Sequence, residues 1–138
     1  MESTERNIDI FYIEDDEVDI LGMEREFKKI NELLEIAVAK DGHQALNKLY
    51  GRNGEEKLHP KIILLDINLP KMNGIEFLKL LRADPTFIDI EVFILTGAFN
   101  TQDKMAMKDL NVRGHIIKPL EYEDALNLLW ALQSAPRN

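Results

Sequence analysis

The sequence predicts one α/β domain: an open parallel sheet of five strands with five helices packed over its two faces. Short apolar runs rich in β-branched residues alternate five times with segments whose apolar residues recur at helical steps. The runs are apolar almost throughout and do not alternate with polar residues, as in strands buried on both faces. Parallel neighbours need crossover connections, right-handed by rule, and the intervening helical segments supply them.

The first strand is expected at 8–13, followed by a helix with Ile20, Met23, Phe27 and Ile30 on one stripe. The second strand falls at 34–39. Asp41 then caps a helix that turns Ala45, Leu46 and Leu49 inward. Residues 51–60, from Gly51 to Pro60, form the longest polar stretch and are expected as a surface loop, an insertion with no assigned function. The third strand is expected at 61–65. Asn73 caps the next helix, which faces the core through Ile75, Leu78 and Leu81. A strand at 91–95 precedes a weakly striped helix between Thr101 and Leu110, with Met105, Ala106 and Leu110 as its apolar residues. The last strand is expected at 114–117. The last helix presents Tyr122, Leu126, Leu129 and Leu132, with Glu121, Glu123 and Asp124 crowding its first turn. No repeat or linker interrupts this order, so residues 1–138 are expected to form one domain with a core over 8–133. The polar start and a frayed tail from Ser134 lie outside that core.

Composition narrows the function classes. At 138 residues, 45% hydrophobic and 30% charged, the chain can bury one substantial core and is not of disordered type. It has no cysteine, which removes disulfides, thiolate metal sites and thiol catalysis. A net charge of -8 repels a phosphate backbone, so nucleic acid is not an expected partner. Lys28 and Lys29 sit among acidic neighbours and read as a solvated helix face. The polar N-terminus lacks a signal-peptide core, and no apolar run is long enough to cross a bilayer, which places the protein in the cytoplasm and off the membrane.

In such sheets ligands bind beyond the carboxyl ends of the strands. Those ends read Glu14-Asp15-Asp16, Asp66, Thr96-Gly97 and Lys118-Pro119. Singly, each has an ordinary explanation as a cap, a turn residue or an exposed charge. Together, on the expected fold, they bring carboxylates, a hydroxyl and an ammonium to one edge. Converging carboxylates repel by roughly 3 kcal/mol per pair at ~5 Å and an effective dielectric of ~20. Lys118 supplies one compensating charge. Oxygen ligands without His or Cys point to a hard divalent ion, Mg²⁺, held by Glu14 and Asp15 and open to phosphoryl oxygens. Asp66 then serves as a carboxylate nucleophile toward phosphorus and Lys118 pairs with a phosphoryl oxygen, while the Thr96 hydroxyl donates and Gly97 leaves room.

At these residues the sequence resembles the receiver domain of two-component response regulators, in layout the stand-alone CheY-like type. The motifs occur in the family's order: Ile13-Glu14-Asp15, then Leu65-Asp66-Ile67-Asn68-Leu69-Pro70 with Met72-Asn73-Gly74, then Leu95-Thr96-Gly97, then Ile117-Lys118-Pro119. The resemblance implies a flavodoxin-like doubly wound sheet of strand order 2-1-3-4-5. It implies Asp66 as phospho-acceptor, with Mg²⁺, or Mn²⁺ as its substitute, bound directly by Asp15 and Asp66, by Glu14 through water and by the Asn68 backbone carbonyl. Thr96 and Lys118 become phosphoryl ligands, and the Lys118-Pro119 bond is expected to be cis. The ring-bearing switch position is His115 in place of the usual Tyr or Phe, and an imidazole can charge near neutral pH. As a strand residue with no switching role, His115 would be half-buried. Asp16 reads as a helix cap.

The resemblance also implies the partners. The donor is a phosphohistidine on a sensor histidine kinase or a phosphotransfer protein, and output is contact with a downstream protein through a face that includes Met105, Lys108, His115 and Trp130. The protein is expected as a monomer or a phosphorylation-dependent dimer, and as a switch that only phosphorylates and slowly dephosphorylates itself. Three rivals share part of this pattern. A haloacid-dehalogenase-like phosphatase needs a second carboxylate where Asn68 stands. A flavin carrier needs a hydroxyl- and Gly-rich loop where Glu14-Asp15-Asp16 would repel phosphate. A pseudo-receiver would keep the fold and lack the chemistry, yet every group the chemistry needs is present.

Overall fold

The computed structural model describes residues 5–134. The chain alternates β1 (Glu5–Ile13), α1 (Glu17–Ile30), β2 (Ile36–Ala39), α2 (Gly42–Tyr50), β3 (Lys57–Leu65), α3 (Gly74–Ala83), a 3-10 turn (Pro85–Phe87), β4 (Glu91–Thr96), α4 (Thr101–Ala106), β5 (Gly114–Ile117) and α5 (Tyr122–Ser134). The strands form one parallel sheet in the order β2-β1-β3-β4-β5. This is the doubly wound, flavodoxin-like arrangement expected from the sequence. Of the expected frayed tail, 135–138 lie outside the described residues.

Strand period divides the core in two. Phe11, Ile13, Ile63 and Leu65 face Ala45 and Leu49 of α2 and Phe77, Leu78 and Leu81 of α3. Ile10, Tyr12, Ile62 and Leu64 face Ile20, Met23 and Phe27 of α1 and Ala125 and Leu128 of α5. Each predicted cap is made. Asp16 accepts from the amides of Val18 and Asp19, Asp41 from Gln44 and Asn73 from Glu76. No described helix is long and apolar enough to cross a membrane.

Three expectations need correction. The 51–60 loop shrinks to 51–56, because β3 starts at Lys57 and pairs with a β1 that starts at Glu5. Leu58 there is buried while His59 and Lys61 point out to Glu5 and Asp9. The run is half apolar and contains Pro60, so its composition mimics a loop. The fourth helix ends at Ala106, four residues short of Leu110, in keeping with its weak stripe. On α5 the buried residues are Ala125 and Leu128, whereas Tyr122 and Leu126 are exposed. Of the expected stripe, Leu129 and Leu132 do pack against the core, so periodicity placed the second half of the helix and missed the residues buried in the first.

Two local devices hold the sheet's ends. The Arg82 guanidinium donates to the carbonyls of Phe87 (2.7 Å), Ile88 (3.2 Å), Ile90 (2.8 Å), Leu110 (2.8 Å) and Asn111 (3.0 Å), tying α3 to the segments that enter β4 and β5. Gly74 starts α3 directly against the chain leaving β3. A Cβ there would lie 2.3 Å from the Asp66 carbonyl oxygen and 2.7 Å from the Ile67 Cα. Only glycine allows that approach, which the Gly74 N–H closes with a 2.7 Å bond to the Ile67 carbonyl.

Candidate functional site

Register brings the polar strand ends together. Ile13 pairs with Leu65, and Thr96 pairs with Ile117, so Glu14, Asp66, Thr96 and Lys118 emerge along one edge. Backbone bonds continue the ladder past the strands: Glu14 N–H to Ala39 O, Asp66 N–H to Ile13 O, and Lys118 N–H to Thr96 O. Each functional residue therefore starts from a fixed main chain. The Lys118-Pro119 peptide is cis.

Lys118 is the centre of the cluster. Its ammonium lies 2.8 Å from Asp66 Oδ2 and 2.9 Å from Asp19 Oδ2, and it contacts Glu14 Oε1. The other oxygen of Asp66 accepts from the Asn68 N–H at 3.1 Å. Glu14 Oε2 accepts from the N–H groups of Asp15 (3.0 Å) and Asp16 (3.1 Å), and the Tyr12 hydroxyl donates to Glu14 Oε1 at 3.1 Å. Asp15 is exposed beside this cluster, and Asp16 is occupied in capping α1.

Burial and pairing pull the titrations in opposite directions. Burial raises the Glu14 carboxyl to about 7 although Lys118 and the backbone amide of Asp16 favour its charged form. Burial also opposes ionisation of Asp66. There the bonds from Lys118 and the Asn68 amide prevail and hold the group below the ordinary carboxylate range. Lys118 is itself desolvated, but Asp66, Glu14 and Asp19 keep its proton on, well above the usual lysine value. Burial, reinforced by the Glu14 charge, keeps the Tyr12 hydroxyl protonated as a donor.

Thr96 Oγ1 is buried near enough to Asp66 to favour that carboxylate's charged form, yet it makes no hydrogen bond of good geometry. A hydroxyl left so costs about 1–3 kcal/mol, and a group arriving with free acceptor oxygens would satisfy it. Gly97 borders open space, since a Cβ there would meet nothing within 4 Å. Asn68 is exposed and contributes its amide. Among the described residues no three acidic or histidine side chains close on a common point as a cation site. The available ligands are still all oxygen, in Glu14, Asp15 and Asp66, which suits a hard divalent ion with an incomplete protein shell.

His115 is exposed on β5 and not half-buried. Its ring packs on Phe99 with centroids 4.3 Å apart, and Phe99 lies three residues after Thr96. A groove of about 680 Å³ opens among residues 57–61, the segment around Phe87 and Ile90, and Arg113, at the amino ends of the strands and away from Glu14 and Asp66.

Sequence reasoning missed Tyr12 and Asp19. Tyr12 stands two residues before Glu14, hence on the same side of β1, and is the one hydroxyl in the apolar stretch 10–13. Asp19 carried no signal beyond its place in the first turn of α1.

Comparison with known proteins identifies the family. The family described as the response regulator receiver domain matches residues 10–129. A crystal structure of a two-component response regulator from Legionella pneumophila is 62% identical with a TM-score of 0.89, covering 93% of this chain and 99% of that one. The response regulator Rcp1 of Synechocystis is 29% identical over 126 residues, 91% of this chain and 86% of Rcp1. The Mn²⁺-bound form of Rcp1 superposes with a TM-score of 0.76 at 28% identity, covering 92% of each chain. A probable methanogenesis regulatory protein, FilR2 of Methanothrix harundinacea, is 30% identical over 115 residues, 83% of this chain and 74% of that protein. With the family model covering residues 10–129 and the strand order that of the expected fold, the chain belongs to the receiver domains of two-component response regulators, which act in phosphorelay signalling.

Proposed function

We propose that the Asp66 carboxylate takes a phosphoryl group from a phosphohistidine on a sensor histidine kinase or a phosphotransfer protein. A carboxylate oxygen bonds to phosphorus as the phosphorus–nitrogen bond breaks, and the bonding pair leaves with the donor's imidazole. Lys118 orients Asp66 beforehand through the 2.8 Å bond and neutralises negative charge on the group that arrives. Thr96 donates its free hydroxyl to a phosphoryl oxygen. The observation that carries this reading is that pairing: an ionised aspartate held by a lysine beside a buried hydroxyl with no partner.

Glu14, Asp15, Asp66 and the Asn68 carbonyl are the groups that would hold Mg²⁺, or Mn²⁺ in its place, as the Mn²⁺-bound form of Rcp1 supports. When bound, such an ion supplies positive charge against the phosphoryl oxygens.

Output passes to a downstream protein through α4, β5 and α5. Met105 (71% exposed), Ile117 and Trp130 (69% exposed) lie on that side, and Tyr122, Leu126 and Trp130 make one stripe at steps of four along α5. An apolar surface of this kind marks an interaction site.

Acetyl phosphate with Mg²⁺, followed by intact-mass measurement, tests the acceptor. The wild type should gain one phosphoryl mass and Asp66→Asn none. Equal gain in both would move the acceptor elsewhere. No gain in either, with a cognate kinase also failing, would leave an interaction module without the chemistry.

A further inference from the structure

The Lys118 ammonium has three N–H donors, and three carboxylates surround it: Asp66 at 2.8 Å, Asp19 at 2.9 Å and Glu14 in contact. Asp66 and Glu14 belong to the acceptor and ion-binding set proposed above. A phosphoryl group on Asp66 would take over that residue's share of the ammonium, and Glu14 is among the groups that would hold the divalent ion. Asp19 has neither task. It is also not needed to cap α1, because Asp16 already accepts from the amides of Val18 and Asp19, and Glu17 pairs with Lys40. Its side chain, 29% exposed, turns from the helix's first turn toward the end of β5, where it meets Lys118, itself 15% exposed.

Resting on the reading that Asp66 is phosphorylated, we infer that Asp19 is a positioning residue: it tethers the Lys118 ammonium at the mouth of the cluster so that one N–H donor can pass from Asp66 to a phosphoryl oxygen. Lysine is a point charge on a flexible four-carbon stem, and an ammonium held by one carboxylate alone samples many geometries. A second fixed acceptor outside the reacting set narrows them before the phosphoryl group arrives.

The test uses the full chain with saturating Mg²⁺ and beryllofluoride as the phosphoryl mimic. Asp19→Asn should weaken beryllofluoride binding about tenfold, the scale of one charge-assisted hydrogen bond. Asp19→Glu, which keeps the carboxylate, should recover most of that loss. In a Lys118→Ala background Asp19→Asn should cost less than about twofold, because the effect runs through the ammonium. In the metal-free protein the Lys118 Nζ resonance should shift on Asp19→Asn. Wild-type affinity in Asp19→Asn, an equal loss in both backgrounds, or an unmoved Nζ resonance overturns the inference. If Lys118→Ala abolishes binding, the resonance and the Asp19→Glu recovery decide. Failure of the wild type to bind beryllofluoride or to gain phosphoryl mass would sink the acceptor reading instead, and the resonance shift would still report on the Asp19 tether.

Discussion

Replacing Glu14 by Gln should stabilise the metal-free protein at pH 8 far more than at pH 5, where only a small part of the effect is present. Glu14 is only 1% exposed, and burial lifts its carboxyl from 4.5 to about 7 even with Lys118 in contact. The folded-state value lies above the unfolded one, so between those limits the native state binds the extra proton. The stability this contributes is complete below about pH 4.5 and is lost as pH rises through about 7. A displacement of that size corresponds to about 3 kcal/mol at pH 8, with the favourable Lys118 contact already included. Glutamine keeps a carbonyl oxygen for the amides of Asp15 and Asp16, and Lys118 keeps Asp19 and Asp66. The assay is urea denaturation of both proteins with a chelator present, stepped from pH 5 to pH 8. Asp66, whose carboxyl is lowered from 3.8, stays ionised across that window, and the histidines are common to both chains. The difference should grow with pH. A constant offset, or one that grows toward acid, would refute the assignment of Glu14 as a buried carboxylate held ionised against desolvation. Added Mg²⁺ should narrow or reverse the difference, since ligand that binds the native wild type more tightly stabilises it more.

Gly74→Ala should destabilise the fold by at least about 2 kcal/mol and slow phosphoryl uptake, because its Cβ would displace the main chain that carries Asp66. Denaturation and acetyl phosphate kinetics would show both effects, and a wild-type rate would mean the chain relaxes elsewhere. Arg82→Lys should lose about 2 kcal/mol, since one ammonium cannot satisfy the carbonyls of Phe87, Ile88, Ile90, Leu110 and Asn111 together. A loss under about 0.5 kcal/mol in the same denaturation assay would show that water replaces those bonds.

The strands were legible wherever they were buried on both faces, because a run such as 62–65 is short, apolar, rich in β-branched residues and bounded by polar ones. Legibility failed where a strand extends past its neighbours. Residues 57–60 pair only with β1, so their exposed side is free to be polar, and a half-polar run with a proline reads as loop. Helix α5 was legible only in part, Leu129 and Leu132 packing as expected and Tyr122 and Leu126 not. It carries apolar residues on two faces, one for Leu64 and its neighbours and one left at the surface, and a stripe in sequence does not say which is covered. His115 went the same way: as an edge-strand residue its exposure depends on what Phe99 and β4 leave open.

The alternation of elements, the helix caps and the set of acid, hydroxyl and ammonium residues at the strand ends were all readable from neighbours a few positions apart. The contents of the cluster around Lys118 depend on the whole fold. Asp19 and Asp66 lie 99 and 52 residues from that lysine, and Tyr12 reaches Glu14 inside a core whose packing no local pattern encodes. Ammonium–carboxylate bonds act over about 3 Å, and at that range the partners are chosen by how the strands register and where α1 docks, not by spacing along the chain.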